Sequence, residues 1–250
     1  MIEHLQHGVI TVLGRHPQAS NSALVVECVY ADVTVRAMYK PVQGERPLWD
    51  FPDAVLAARE VAAYDVAVAL GFQFIPPTIW RDDGPAGPGS LQLWIDEATI
   101  QDVIVTPEPA EGWLPVLQAQ LADGTDVVVA HRDTADLRAL ALLDAVMNNA
   151  DRKAGHLLRD QAGTLWAVDH GVTFHADPKL RTVLWGFAGD RIEPSLLAQL
   201  DVALHELSSV QQALQAEEIE ALAERVAALQ TSGAYPFPSP DWPAVPWPIY

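Results

Sequence analysis

Apolar and polar positions alternate along the first forty residues. "GVITVLG" (8–14), "ALVVECVY" (23–30) and "VTVRAMYK" (33–40) are rich in Val and predict three β-strands. "RHPQASNS", between the first two, is a turn of small polar residues. From residue 53 the apolar spacing lengthens to three and four. "DAVLAAREVAAYDVAVALG" (53–71) predicts a helix that Asp53 caps and Gly71 closes. "PPTIWRDDGPAGPGSLQLWID" then predicts a short strand, a Pro/Gly loop and a strand at 90–95.

After about residue 98 the character changes. "ADLRALALLDAVMNN" (135–149) predicts an amphipathic helix capped near Asp133 or Thr134. "HLLRDQAGTLWAVDHG" predicts a hairpin, with strands at 156–159 and 164–168 and a turn over Asp160–Gly163. "PSLLAQLDVALHEL" (194–207) and "AEEIEALAERVAALQTSG" (216–233) predict two further helices. The tail "YPFPSPDWPAVPWPIY" holds too much Pro to be helical, so it should run extended over the body and bury some of its rings. These elements predict an α+β chain, with a first unit over 1–97 and a second over 98–250 that ends in the tail at 234–250.

Composition narrows the partners. The chain has 250 residues, half of them hydrophobic, enough for one substantial core or two modest ones. A net charge of −18 argues against nucleic acid and against stable docking on anionic membranes, both of which select clustered Lys and Arg. No apolar run approaches the roughly 20 residues of a membrane span, and "MIEHLQHGVITVLG" has no export-signal pattern. Cys28 is the single cysteine and lies in an apolar strand, where it reads as a core residue. With no internal disulfide, a cytoplasmic location is expected.

Candidate chemistry concentrates in "LLDAVMNNADRKAGHLLRD" (142–160), where two Asn, an Asp, an Arg, a Lys and a His interrupt apolar sequence. Just upstream, His131-Arg132-Asp133 spells the HRD of protein kinases. Phosphoryl transfer from ATP needs the phosphates held, a metal bound by hard ligands, and a carboxylate to orient the attacking hydroxyl. In kinases an Asn that binds metal follows the loop Asp by five residues. Five residues after Asp133 stands Arg138, a cation inside a predicted helix, so the HRD is a decoy. Five residues after Asp151 stands His156, and across the hairpin Asp169 ends an apolar strand just before His170-Gly171. A hairpin brings such positions together.

The stretch "DAVMNNADRKAGHLL…AVDHGVTF" resembles the D…N-x-DR-x-x-x-N…[IV]D-x-G-x-x-F pattern of phosphatidylinositol 3-/4-kinase-like proteins, a broad group that includes the HipA-type kinases. "YKPVQGERPLWDFP" and "KLRTVLWG" extend the resemblance over nearly the whole chain, toward a family of small actinobacterial proteins of that kind. The resemblance implies a two-lobed protein-kinase-like fold, with a mostly β N-terminal lobe containing one helix and a mostly α C-terminal lobe. It implies ATP and Mg²⁺ (or Mn²⁺) as cofactors. Asp151 would be the catalytic Asp, with Arg152 and Lys153 beside it in the loop. Asp169 would bind metal, and His156 would stand where the family has Asn, a softer ligand that tolerates manganese. Lys40 would hold the ATP phosphates, with Glu60 as its ion-pair partner. Ser20, Asn21 and Ser22 would cover the phosphates, and Gln92, Leu93, Trp94 and Ile95 would contact adenine.

Taken alone, Lys40 reads as a solvated strand-end lysine and Glu60 as a surface helix residue; together with Asp151 and Asp169 they read as a nucleotide site. Three readings of the acceptor follow. One is a kinase acting on a small soluble inositol- or sugar-like hydroxyl compound. The second is a HipA-like protein Ser/Thr kinase, and the third a nucleotide-binding pseudokinase that serves as a regulatory module. Lys179 and Arg181 follow Asp169, where they would either bind an anionic substrate or simply be solvated.

Overall fold

The computed structural model describes residues 1–16, 22–51 and 55–250. Ser20, Asn21 and Asp53, three positions singled out above, lie outside the described residues. A short helix α1 (Ile2–His7) leads into β1 (Val9–Arg15), β2 (Leu24–Tyr30) and β3 (Val33–Pro41), which follow the alternating pattern closely. Helix α2 (Leu56–Ala69) comes next, then β4 (Thr78–Gly84) and β5 (Gly87–Leu93). The five strands form one antiparallel sheet in the order β1-β2-β3-β5-β4, with Lys40 opposite Ser90. Its core is Leu5, Val26, Cys28, Val35, Ala37, Tyr39, Ile79 and Leu91.

The "GPAGPG" segment is strand rather than loop over most of its length. A Cβ on Gly89 would lie 2.4 Å from the Lys40 carbonyl oxygen, so only glycine lets β5 approach the end of β3 this closely. The backbone that carries Lys40 is fixed by that contact.

Beyond residue 98 helices cover more of the described chain than strands, but strands are present there as well. Residues 103–132, which the apolar pattern left unassigned, form β6 (Val103–Thr106), β7 (Trp113–Gln120) and β8 (Asp126–Arg132), a sheet in the order β6-β8-β7. Pro115 and a register shift between Pro115 and Leu117 break the alternation of β7, which hides it in the sequence. Helix α3 (Ala135–Met147) follows and ends at Asn148 in the left-handed conformation (φ 51°). The predicted hairpin is present as β9 (Leu157–Arg159) and β10 (Leu165–Ala167). Asp160 closes its turn by accepting from the amides of Ala162 and Thr164.

The single helix predicted over 194–207 is broken. Helix α4 (Pro194–Ala198) stops early and a 3₁₀ turn spans Leu204–Glu206, before α5 (Ser208–Ala213) and α6 (Ala216–Ser232). Asp201 and Val202 are weak helix formers in an exposed stretch, and the turn there still delivers Leu200 and Leu204 to the core. Helix α6 ends at Gly233, as its sequence predicts. The tail runs extended, burying Tyr235 and Ile249 but leaving Trp247 and Phe237 exposed.

The chain is therefore α+β with antiparallel sheets. Among the described residues two helices, not one, precede residue 97, and five strands follow it. The division of the core does not follow the chain at residue 98. Ala62, Ala63, Val66 and Ala67 of α2, with Leu70 just past its end, belong to the large core built by α3, α5, α6 and the β9–β10 hairpin. Among the described residues no helix is long and apolar enough to cross a membrane.

Candidate active site

Lys40, at the end of β3, is the centre of the cluster. Its ammonium forms a short bond to Glu60 Oε1 on α2 and lies 2.9 Å from Asp169 Oδ1. The other Glu60 oxygen accepts from the His170 amide at 3.0 Å. Glu60 is buried, while the Asp169 side chain is about half exposed (52%) and so open to a ligand. Asp169 stands in the left-handed conformation (φ 62°), a strained backbone that turns its carboxylate toward Lys40. The adjacent ammonium holds the Asp169 carboxyl well below the usual carboxylate range. Burial works against the charged Lys40, but the attraction of Asp169 and Glu60 prevails and its pKa is raised.

His156 closes one side. Its Nε2 is 3.4 Å from Asp169 Oδ2, and Nδ1 is 3.5 Å from the Lys153 amide, at the limit of a hydrogen bond. Burial lowers its pKa to about 4, so the imidazole is neutral near pH 7. In the tautomer protonated at Nδ1, which gives up the marginal Lys153 contact, Nε2 offers a lone pair beside the ionised Asp169, and in that form the two fit a divalent cation. Among the described residues no third His, Cys, Asp or Glu completes a metal-binding group. Phosphate oxygens or water would have to fill the shell.

Asp151 occupies the loop after α3. Its carboxylate pairs with Lys153 Nζ at 3.1 Å, and its amide donates to Asn149 Oδ1 at 3.0 Å. Burial pushes its carboxyl up from the ordinary value, against the pull of Lys153, and the charge of Asp169 pushes the same way. Asp151 is thus within the electrostatic reach of the Lys40 cluster. Backbone bonds clamp the loop on both sides: Ala150 N donates to Val172 O, Arg152 N to Arg181 O and Val183 N to Arg152 O.

Arg152, expected among the catalytic residues, is fully buried. It pairs doubly with Asp144 of α3 at 2.9 Å, donates to Val168 O at 2.9 Å and contacts His170 Nε2 at 2.6 Å. No substrate can reach it; it fixes the loop to α3 and to the segment that carries Asp169. The signal for this was Asp144 within "ALLDAVM", since a carboxylate flanked by apolar residues on a buried helix requires a cation. Asn149 completes the arrangement by donating to Asp144 Oδ1.

Other positions divide. Ser22 abuts Gly44, just past the end of β3. Gln92 is buried and its amide is committed to Thr78, so its side chain is not available to adenine. Leu93, Trp94 and Ile95 are half-buried where β5 leaves its sheet, and the Trp94 ring lies tilted against His16 with centroids 5.8 Å apart. Lys179 is neither solvated nor free for a substrate: it is buried against Asp50 and lies 4.6 Å from the Trp242 ring centre. Arg181 is half-buried and donates to Ala150 O, beside Asp151. The HRD triplet stands elsewhere. Asp133 is engaged doubly by Arg138, and buried His131 accepts from the Gly186 amide.

The chain is 41% identical to Protein Rv2133c of Mycobacterium tuberculosis, an alignment that covers 98% of this chain and 94% of that protein. No family model matches the chain.

Proposed function

The chain belongs to the family of Protein Rv2133c, and we propose that it is an ATP- and divalent-metal-dependent phosphotransferase, a two-lobed kinase-like fold that binds nucleotide between residues 1–97 and 98–250. The acceptor is the hydroxyl of a small soluble inositol- or sugar-like molecule. One observation carries the reading: the Lys40 ammonium bridges buried Glu60 and half-exposed Asp169, while a separate loop holds Asp151 close by. Kinases use such a set to grip phosphates, hold metal and orient a nucleophile.

In this reading Lys40 holds phosphate oxygens, and Glu60 keeps its amine in place. Asp169 and His156 would hold Mg²⁺ or Mn²⁺, which supplies neutralisation of phosphate charge. Asp151 accepts the hydrogen bond of the acceptor hydroxyl and takes its proton as the oxygen attacks the γ-phosphorus, whose bond to the bridging oxygen breaks to release ADP. The raised pKa of its carboxyl favours that duty. Lys153, paired with Asp151, keeps the carboxylate aligned between turnovers.

The test combines binding and transfer. Mg·ATP should raise the melting temperature, and Asp169→Ala should remove the metal-dependent part of that rise. With γ-labelled ATP and a metabolite extract, label should appear on a small molecule. Asp151→Asn should lower that transfer by roughly 10²-fold while leaving nucleotide affinity within a few-fold. Label on protein instead would shift the acceptor to a Ser/Thr side chain. Binding without transfer would make the chain a pseudokinase, and no stabilisation by Mg·ATP would end the reading altogether.

A further inference from the structure

Next to Glu60 on α2 stands a second buried charge, Arg59, which takes no part in the chemistry above. Its guanidinium donates both to Glu218 Oε1 at 2.6 Å and to Oε2 at 2.8 Å, in the first turn of α6. A second nitrogen makes a short bond to the Thr173 carbonyl, four residues beyond Asp169. The group also lies 5.3 Å from the Phe51 ring centre. Both partners of the ion pair are buried. Glu218 accepts in addition from the Gln215 amide and lies in the field of Arg225. Thr173 Oγ1 donates to His170 O, so the 169–173 turn is tied to α2 twice, through Glu60 at His170 N and through Arg59 at Thr173 O.

A helix that carries the partner of a phosphate lysine can be free to swing or can be locked. Here α2 shares the large apolar core with α3, α5 and α6, and Arg59 adds a buried charge-assisted contact to α6, one guanidinium nitrogen shared between both oxygens of Glu218. We propose that the Arg59–Glu218 pair is a clamp that holds α2 inward, so that Glu60 stays on Lys40 with no ligand or partner needed to assemble the cluster. Arg59 is a positioning residue. The proposal rests on the reading of Lys40 as the phosphate-binding amine, and it makes that site permanently preassembled.

The chain has three lysines, Lys40, Lys153 and Lys179, which makes amine reactivity a direct probe. Acetic anhydride acylates the free amine only. Glu60 and Asp169 both engage the Lys40 ammonium, so its acylation in the wild type should be slow. Losing one of two carboxylate partners should speed it about tenfold or more. Arg59→Met should show that rise at Lys40, measured by mass spectrometry, with Lys153 and Lys179 as internal standards. Glu218→Gln should give a smaller rise, Arg59→Lys a partial rescue because one ammonium cannot serve Glu218 and the Thr173 carbonyl from separate nitrogens, and Glu60→Gln the ceiling. If Arg59→Met does not fold, Glu218→Gln decides alone. Lys40 acylation that stays at the wild-type rate in folded Arg59→Met or Glu218→Gln overturns the clamp, and so does a Glu60→Gln chain with no rise at all. The assay uses no nucleotide, so a chain that ignores Mg·ATP would sink the kinase reading without touching this result.

Discussion

Replacing Asp144 by Asn tests whether Arg152 is a structural rather than a chemical residue. Both side chains are fully buried, and Asp144 accepts two bonds from Arg152 and one from Asn149, all at 2.9 Å. Asn keeps one acceptor oxygen but removes the charge, so Arg152 becomes a buried cation with no counter-ion. Breaking such a pair costs about 3–5 kcal/mol, a large share of a total stability of roughly 5–15 kcal/mol. For a chain of this size that corresponds to a fall in melting temperature of about 6–20 °C. Urea unfolding followed by circular dichroism measures it. Asp133→Asn is the matched control, because its pair with Arg138 is also bidentate but partly exposed, with side chains 37% and 24% accessible. It should cost at most about 1 kcal/mol. The double change Asp144→Leu with Arg152→Met should recover part of the loss. Recovery stays partial because Val168 O loses a donor and His170 Nε2 its neighbour. If Asp144→Asn costs no more than Asp133→Asn, the pair does not hold the loop and Arg152 is free for another role.

Two further perturbations probe the frame. His131 is buried, accepts from Gly186 N through Nε2, and burial lowers its pKa below 6.5. As pH falls through the ordinary histidine range the unfolded chain binds this proton and the folded chain does not, so stability is present above that range and lost below it. Urea midpoints at pH 7.5 and 5.0 should therefore converge in His131→Gln relative to the wild type; an unchanged difference would show that His131 contributes nothing to it. Ile249 is buried in the tail, and its carbonyl accepts from Ala154 N beside the Asp151 loop. Ile249→Ala should cost about 2 kcal/mol or more by chemical denaturation, and a value near zero would mean the tail is not packed on the loop.

Much of the candidate site was legible because its signals are local. Period-two alternation fixed β1, β2 and β3, and with them the place of Lys40 at a strand end. The turn chemistry of Asp160–Gly163 fixed the hairpin that brings His156 toward Asp169. Five-residue spacing set Asp151 apart from Asp133, whose place is taken up by Arg138. What tertiary structure alone decided lies between segments far apart in the chain. The apolar periodicity of α2 marks a buried face without saying which core will cover it, and the structure gives that face to the helices beyond residue 130. Arg152 reads as a polar residue in a polar stretch and Arg59 is a lone cation in an Ala-rich helix, yet each is buried because a carboxylate on an earlier helix (Asp144) or a distant one (Glu218) neutralises it. Glu45 accepts from the amides of Leu56 and Ala57 at the start of α2 from eleven and twelve residues upstream, beyond the reach of any local capping rule. Pairing of charges across the fold costs nothing in sequence pattern and leaves no period, so only the folded chain shows which cations hold the scaffold and which face the ligand.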